Sequence, residues 1–156
     1  MARRLKIFLV RHAKAGDREA WTKPDVLRPL TGAGRAQAAA LVGRLSGFPI
    51  ERVISSRYAR CVQTVEPLAA ARGIRLELDE ALAEGASLDG ALALLAKLAG
   101  PAALCSHGDV IELVVGHLQD SGVPGADARL GKKGSTWVLE AEDGTITGAA
   151  YLEPPA

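Results

Sequence analysis

The chain alternates short apolar runs with helical segments, and this alternation is the feature that most limits the folds open to it. Four runs predict strands and lie at residues 5–10, 52–55, 74–78 and 102–105. The segments that predict helices lie at about 32–46, 58–72, 88–98 and 109–120. Strands that alternate with helices pair in parallel, because each crossover helix returns the chain to the same edge of the sheet. Pro67 predicts a kink or a break in the second helix.

The last third of the chain departs from this alternation. After a Gly-rich loop over 121–134, residues 136–142 and 145–152 flank Asp143-Gly144, a pattern typical of a β-hairpin. The expected fold is α/β: a three-layer α/β/α sandwich whose mainly parallel sheet has one antiparallel edge. A length of 156 residues suits a single domain, expected over 1–156.

Composition limits the partners that this chain can bind. Lys and Arg number 19 against 18 Asp and Glu, which gives a formal net charge of +1. We therefore expect no nucleic-acid and no membrane partner, because both select a broadly basic surface. The apolar run 5–10 is too short for a signal peptide or a membrane span, so the expected location is cytoplasmic. Cys61 and Cys105 lie in apolar stretches, and we expect buried, reduced thiols.

Polar residues of related kinds stand where three predicted strands end. They are Arg11-His12, Ser55-Ser56 with Arg60 in the next helical turn, and Ser106-His107-Gly108. Because the carboxyl ends of parallel strands share one edge, these side chains are expected to converge. Two arginines, two histidines and free helix N-termini would form a strong anion site.

Histidine and arginine suit phosphate chemistry in particular. Histidine can form a covalent intermediate, and the arginine fork matches phosphate oxygens. Each residue also has a structural interpretation: Arg60 as a solvated helix residue, and His107 as a helix cap. His117, within the last helix, is expected to be structural. Three histidines without spaced carboxylates do not predict a metal site.

These residues stand in blocks that resemble the histidine phosphatase superfamily. Leu9-Val10-Arg11-His12-Ala13-Lys14 is similar to the signature whose histidine is phosphorylated. Ser56-Arg57-Tyr58-Ala59-Arg60-Cys61-Val62-Gln63-Thr64 is similar to the second block, in which an arginine before a Gln-Thr pair binds phosphate. Ser106-His107-Gly108 resembles the third block, and a linking segment is recognised in Arg28-Pro29-Leu30-Thr31, Gly34-Arg35 and Gln37-Ala38. The blocks are in order and span about residues 5–110.

The resemblance implies the phosphoglycerate mutase-like fold and a metal-independent phosphatase that needs no cofactor. It implies that His12 is the nucleophile and forms a phosphohistidine intermediate. The implied phosphate-binding residues are Arg11, Arg60, His107 and Gly108, with His107 also catalytic. In larger members the general acid is a glutamate after a Leu-x step. Leu82-Ala83-Glu84 fits that step; Glu80 is the rival, and a solvated loop glutamate is the structural alternative.

Two groups within the superfamily are similar to this chain. Its short length and its Arg-His-Ala-Lys form resemble the small bacterial phosphohistidine phosphatases. Residues 104–111 and 133–139 resemble the phosphatase domain that follows a Nudix domain in some bacterial hydrolases. Family members often have proline where Arg57 stands, which puts an extra cation near the site or on the surface.

The substrate stays open on the sequence alone. A phosphohistidine protein has an imidazole leaving group and needs little acid help, whereas a nucleotide or a sugar phosphate benefits from Glu84. Lys14, Arg18 and Lys23 flank the first block and could bind a second phosphate or an acidic protein, or be solvated charges. The alternative function is a non-catalytic phosphate-binding module that serves regulation or interaction.

Overall fold

Strands and helices alternate along most of the chain in the computed structural model, which describes residues 3–127 and 131–155. The strands of this part are β1 (Arg4–Arg11), β2 (Arg52–Ser55), β3 (Leu76–Leu78), β4 (Ala102–Ser106), β5 (Thr136–Glu142) and β6 (Thr145–Leu152). The helices are α1 (Gly32–Arg44), α2 (Ala59–Arg72), α3 (Leu88–Lys97) and α4 (Gly108–Asp120). Short 3-10 turns lie at Asp25–Leu27 and Glu80–Leu82.

The strands form one sheet in the order β3-β2-β4-β1-β5-β6. The pairs β3–β2, β2–β4 and β4–β1 are parallel. β5 runs antiparallel to β1, and β6 antiparallel to β5. The predicted mainly parallel sheet with an antiparallel edge is therefore confirmed. Because β1, β2 and β4 are neighbours, their carboxyl ends meet at one edge.

The alternation of side chains along β1 divides the core between the two faces of the sheet. Ile7 and Leu9 pack with α3 and α4, and Phe8 and Val10 pack with α1 and α2. All four side chains are at most 2% exposed, as a strand covered on both faces requires. This packing confirms the three-layer sandwich. The packing also fixes the direction in which the chain continues beyond the end of β1.

Three local predictions need correction or restriction. Helix α2 is not divided at Pro67, which stands in its interior; the fully buried Val65 and Leu68 hold the helix on the sheet on both sides of the proline. The third strand is shorter than predicted, and its Leu78 is 58% exposed because β3 is an edge strand. In the predicted loop over 121–134, residues 128–130 lie outside the described part of the chain.

Two expectations from composition can also be compared with the structure. Cys61 and Cys105 are free and buried, as expected. Within residues 3–127 and 131–155, every helix falls short of the length and apolar content that crossing a membrane requires.

Candidate active site

His12 and His107 meet because the two central parallel strands end side by side. The register pairs Arg11 at the end of β1 with Ser106 at the end of β4. The His12 backbone N–H then donates to the Ser106 carbonyl at 3.1 Å. Consequently the two imidazole rings lie edge to face, with centroids 5.5 Å apart.

The hydrogen bond of His12 fixes which ring nitrogen is free to react. Its Nδ1 lies 2.8 Å from the carbonyl oxygen of Ala13, so Nδ1 carries the proton and donates. Burial lowers the pKa of His12 to about 3, against the opposing effect of that hydrogen bond; the nearby His107, Arg60 and Arg11 lower it further. The ring is therefore neutral near pH 7, and Nε2 presents its lone pair.

The position of His12 is secured from helix α2. The Ala13 backbone N–H donates to Thr64 Oγ1 at 2.9 Å, and that hydroxyl donates in turn to the Arg60 carbonyl at 2.7 Å. Next to it, Gln63 Oε1 accepts from the Leu30 backbone N–H at 2.9 Å. The Gln-Thr pair of the second block thus ties the loop after β1 to the helix that carries Arg60.

His107 is held through its other nitrogen. Its Nε2 lies 2.9 Å from Ser56 Oγ, which also accepts from the Tyr58 backbone N–H at 3.3 Å. The contact with Ser56 engages Nε2 and leaves Nδ1 as the ring nitrogen without a hydrogen-bond partner among the described residues. His107 is the N-cap residue of α4, yet its side chain makes no capping hydrogen bond. The interpretation of His107 as a helix cap thus holds for its position in the chain, but its side chain takes no part in capping.

Arg60 is completely buried, which rules out the interpretation as a solvated helix residue. Its side chain is 0% exposed, and Nη2 donates to Asp25 Oδ2 at 3.0 Å and to Glu84 Oε2 at 3.1 Å. Nη1 donates to the Asp25 carbonyl at 3.1 Å. Two carboxylates thus balance one buried guanidinium, as a buried charge requires.

Asp25 belongs to this cluster although no sequence argument singled it out. Its Oδ1 accepts from the buried Arg28 Nε at 2.9 Å. Burial acts to raise the pKa of Asp25, but the hydrogen bonds and charges of Arg28 and Arg60 outweigh it, so the pKa lies below its usual value. The one available signal was Arg28 within the linking segment, which predicts a partner carboxylate nearby.

Arg11 and Gly108 approach each other closely. A Cβ added to Gly108 would lie 2.9 Å from Arg11 Cζ, so a side chain at this position would require the guanidinium to shift. Arg11 Nη1 donates to the Gly131 carbonyl. Burial lowers the pKa of Arg11, with Tyr151, Glu112 and Asp109 acting in the opposite direction. The third block therefore shapes the Arg11 pocket with its glycine as well as supplying His107.

Glu84 reaches the site, whereas Glu80 does not. Glu84 Oε1 accepts from Arg18 Nη2 at 2.8 Å while its other oxygen pairs with Arg60, and its side chain is 30% exposed. Glu80 is 73% exposed and pairs with Arg57 at 3.0 Å. Of the two rival glutamates, the structure thus places Glu84 and not Glu80 at the cleft, and it places Arg57 on the surface.

Around these residues lies an open cleft of about 470 Å³. Its lining includes Arg11, His12, Arg18, Arg28, Glu84, His107, Gly108 and Lys133. Of the three flanking cations, only Arg18 is part of this lining; Lys14 and Lys23 are exposed outside it. His117 is exposed on α4 and is not part of the lining. Lys133 is the cleft cation that sequence reasoning missed.

Unpartnered polar atoms are concentrated on residues of the candidate site. Four buried side-chain nitrogens of the described residues have no hydrogen-bond partner, and three of them are Arg11 Nε, Arg60 Nε and His107 Nδ1. Buried polar groups are nearly always paired. An arrangement of unpaired donors beside a neutral imidazole can bind a tetrahedral oxyanion next to Nε2 of His12.

The comparisons with known proteins agree with this geometry. The sequence model of the Histidine phosphatase superfamily (branch 1) matches residues 7–91. An 8-oxo-(d)GTP phosphatase of Mycolicibacterium smegmatis is 35% identical over 155 residues, which cover 96% of this chain and 48% of that protein. The chain thus spans about half the length of this relative.

Solved structures show the same fold at lower identity. The protein histidine phosphatase SixA complexed with tungstate superposes with a TM-score of 0.78 at 20% identity, covering 97% of each chain. The mycobacterial glucosyl-3-phosphoglycerate phosphatase Rv2419c superposes with a TM-score of 0.72 at 16% identity, covering 99% of this chain and 100% of the other.

The fold, the sequence blocks and the matching family model together define the class of this protein. The chain belongs to the histidine phosphatase superfamily. The resemblance inferred from the three sequence blocks is thereby confirmed.

Proposed function

We propose that this chain hydrolyses phosphorylated small molecules through a covalent phosphohistidine on His12, without a metal ion. The observation that carries the proposal is the fixed tautomer of His12. Its Nδ1 proton is committed to the Ala13 carbonyl, and burial keeps the ring neutral. A nucleophilic lone pair is therefore ready at Nε2 without prior loss of a proton.

In the first step, Nε2 of His12 attacks phosphorus in line with the leaving group. The N–P bond forms as the bond from phosphorus to the leaving oxygen breaks, and the electron pair goes to that oxygen. Glu84, in its protonated form, gives this oxygen its proton. Arg11, Arg60 and His107 donate hydrogen bonds to the phosphoryl oxygens, where charge shifts in the transition state.

In the second step, water attacks the phosphohistidine. Glu84 is now a carboxylate and takes a proton from the water as the O–P bond forms and the N–P bond breaks. The electron pair returns to Nε2, and inorganic phosphate leaves. Throughout, fixed guanidinium groups provide the positive charge that a metal ion provides in other phosphatases.

Two observations favour a small-molecule substrate. Glu84 lies within hydrogen-bond distance of Arg60 and lines the same cleft as His12, and a general acid is most useful when the leaving group is a poor one. The relative of 35% identity is named a nucleotide phosphatase. A phosphohistidine protein is the second candidate, since the cleft is open enough for a loop and SixA has this fold.

A module that only binds phosphate would not need this arrangement. Binding requires donors such as Arg11 and Arg60, but it does not require a neutral imidazole whose proton is fixed away from the ligand. The interpretation as a non-catalytic module is therefore the weaker one, and it makes the opposite prediction about turnover.

The test is to trap the intermediate by rapid quench with a ³²P-labelled substrate in the presence of a strong chelator. We expect acid-labile, base-stable label on the wild-type protein and none on His12→Ala. That variant should lose on the order of 10³-fold or more in kcat. His117→Ala is the matched control, because this histidine is exposed on α4. Label or turnover retained in His12→Ala, or turnover that needs added metal, would contradict the proposal.

A further inference from the structure

Lys133 faces the same cleft as His12 but has no part in the steps described above. Its backbone is anchored to the nucleophile segment. The N–H of the next residue, Gly134, donates to the carbonyls of Arg11 at 3.2 Å and of His12 at 3.0 Å. The Lys133 carbonyl itself accepts from Gln37 Nε2 at 3.2 Å.

The turn that carries Lys133 can be built only with glycine at the next position. Gly134 has φ +87°, a conformation that L side chains rarely adopt, and an added Cβ would lie 3.0 Å from Gln37 Nε2. The origin of the lysine side chain is therefore fixed one residue away from the contact with His12. Because the Cα position of Lys133 is fixed, its ammonium group can reach only a small part of the cleft.

The charges that act on the pKa of Lys133 are those of arginines, and the same cleft is also lined by the carboxylates of Asp17, Glu84, Asp109 and Glu112. Partial burial lowers the pKa of Lys133, and the charges of Arg11, Arg28, Arg18 and Arg60 lower it further. Arg18, Arg28 and Arg60 each have a carboxylate partner. Lys133 has no ion pair within residues 3–127 and 131–155. Repulsion among these cations is relieved when an anion binds between them.

The phosphoryl group that His12 receives already has donors in Arg11, Arg60 and His107. We propose that Lys133 binds a second anionic group of the substrate, adjacent to the transferred phosphoryl group. The substrate class is then phosphorylated small molecules with two neighbouring anionic groups, of which a nucleoside diphosphate is the simplest. This inference rests on the proposed function for its catalytic consequence, but not for the binding site itself.

In a nucleoside diphosphate, the terminal phosphoryl group would pass to Nε2 of His12. The bond from its phosphorus to the bridging oxygen breaks, and the electron pair stays on that oxygen, which becomes part of the remaining phosphate. The Lys133 ammonium would pair with the negatively charged oxygens of this remaining phosphate in the ground state. It would also stabilise the additional negative charge that develops on them in the transition state. A substrate with a neutral leaving group would gain nothing from Lys133.

A binding experiment separates this proposal from the catalytic one. Calorimetric titration with methylenediphosphonate and with methylphosphonate, in the presence of chelator, compares two anionic groups with one and needs no turnover. We expect Lys133→Met to weaken methylenediphosphonate binding by about 10- to 100-fold, the range for a lost charge-assisted hydrogen bond. Methylphosphonate binding should change by less than about twofold.

Two variants serve as controls. Lys132→Met removes the neighbouring lysine, whose ammonium pairs with Glu153 at 3.3 Å and does not line the cleft; both affinities should stay at the wild-type value. Lys133→Arg keeps the charge and should retain most of the preference for the diphosphonate.

Kinetics with a nucleoside diphosphate and with p-nitrophenyl phosphate complete the test. Lys133→Met should lower kcat/KM for the diphosphate by the same 10- to 100-fold factor and leave the aryl phosphate nearly unchanged. Equal losses for both ligands or both substrates, or no loss for either, would overturn the role of Lys133. A wild-type protein that binds the diphosphonate but hydrolyses nothing would instead overturn the proposed function alone.

Discussion

The candidate site has two parts that differ in how firmly the fold holds them. The floor comprises Arg11, His12, Arg60 and His107, which follow or flank central strands, and His12, Arg60 and His107 are buried. The rim comprises Arg18, Asp25, Glu84 and Lys133, which lie in loops and turns and are partly exposed. Groups on rigid elements keep a precise geometry, whereas loop residues vary at little cost to the fold. We infer that the floor performs the phosphoryl transfer and that the rim selects the leaving group.

The largest expected effect tests this division at the rim. Glu84→Gln should slow the hydrolysis of alkyl phosphates by about 10²- to 10⁴-fold, the usual contribution of a general acid. Aryl phosphates should lose much less, because their leaving oxygen needs no proton in the transition state. The measurement is kcat/KM across a series of leaving groups. A loss in kcat/KM of the same size for every leaving group would show that Glu84 acts in the phosphoryl transfer, as the floor residues do, and not on the leaving group.

The next largest effect tests the floor. Arg60→Lys keeps the charge but loses the fork of donors, and losing one transition-state donor costs about 10²-fold or more in kcat. The loss should be the same for alkyl and aryl substrates, in contrast to Glu84→Gln. Arg57→Lys is the matched control, since this arginine is 50% exposed and pairs with Glu80. Unequal losses across leaving groups would show that Arg60 contacts the leaving group.

The floor was predictable from the sequence for a simple reason. Strand ends in a parallel sheet share one edge, so Arg11-His12, Arg60 and His107 could be brought together once the strands were recognised. Three blocks in order gave the same residues by resemblance. Of the kink or break predicted at Pro67, the break does not occur, because buried neighbours on both sides keep α2 continuous.

The rim was harder to predict because its residues come from segments without periodicity. Asp25 lies in the irregular stretch after β1, and only the tertiary pairs with Arg28 and Arg60 show its place. Glu84 and Glu80 flank one short turn, so sequence alone could not say which faces inward. Lys133 reaches the cleft through a backbone contact between residues far apart in the chain. No spacing rule connects such positions.

Asp25→Asn tests how the rim supports the floor. The change removes the negative charge shared by two buried arginines, Arg28 and Arg60. We expect a loss of about 1–2 kcal/mol in the free energy of unfolding at pH 7, because the carboxylate is partly exposed to solvent. Urea denaturation measures it. An unchanged urea midpoint would show that the Asp25 carboxylate does not stabilise the buried Arg28 and Arg60.

The pH dependence of that difference has a definite sign. The folded-state pKa of Asp25 lies below its usual value. Its contribution to stability is therefore fully present above the unfolded-state pKa of about 3.9 and is lost as pH falls through the lower folded-state pKa. The stability difference between wild type and Asp25→Asn should shrink below about pH 4. A difference that grows on acidification would contradict the assignment.

The smallest expected effect is at the centre of the floor, where nothing should change across the physiological range. Because the pKa of His12 is lowered to about 3, its ring should not titrate between roughly pH 5 and 8, where free imidazole does. Nitrogen NMR of the histidine rings, with His12→Ala for assignment, should show the Nδ1–H tautomer throughout. The sign for stability is the same as that of Asp25: the unfolded chain binds this proton below about pH 6.5 and the folded chain does not, so acid weakens the fold in that window. A titration midpoint of His12 between roughly pH 5 and 8, or a proton on its Nε2, would show that Nε2 does not present a free lone pair for attack. If the ring stays neutral, pH effects on turnover arise outside His12, in the substrate's phosphate or elsewhere in the cleft.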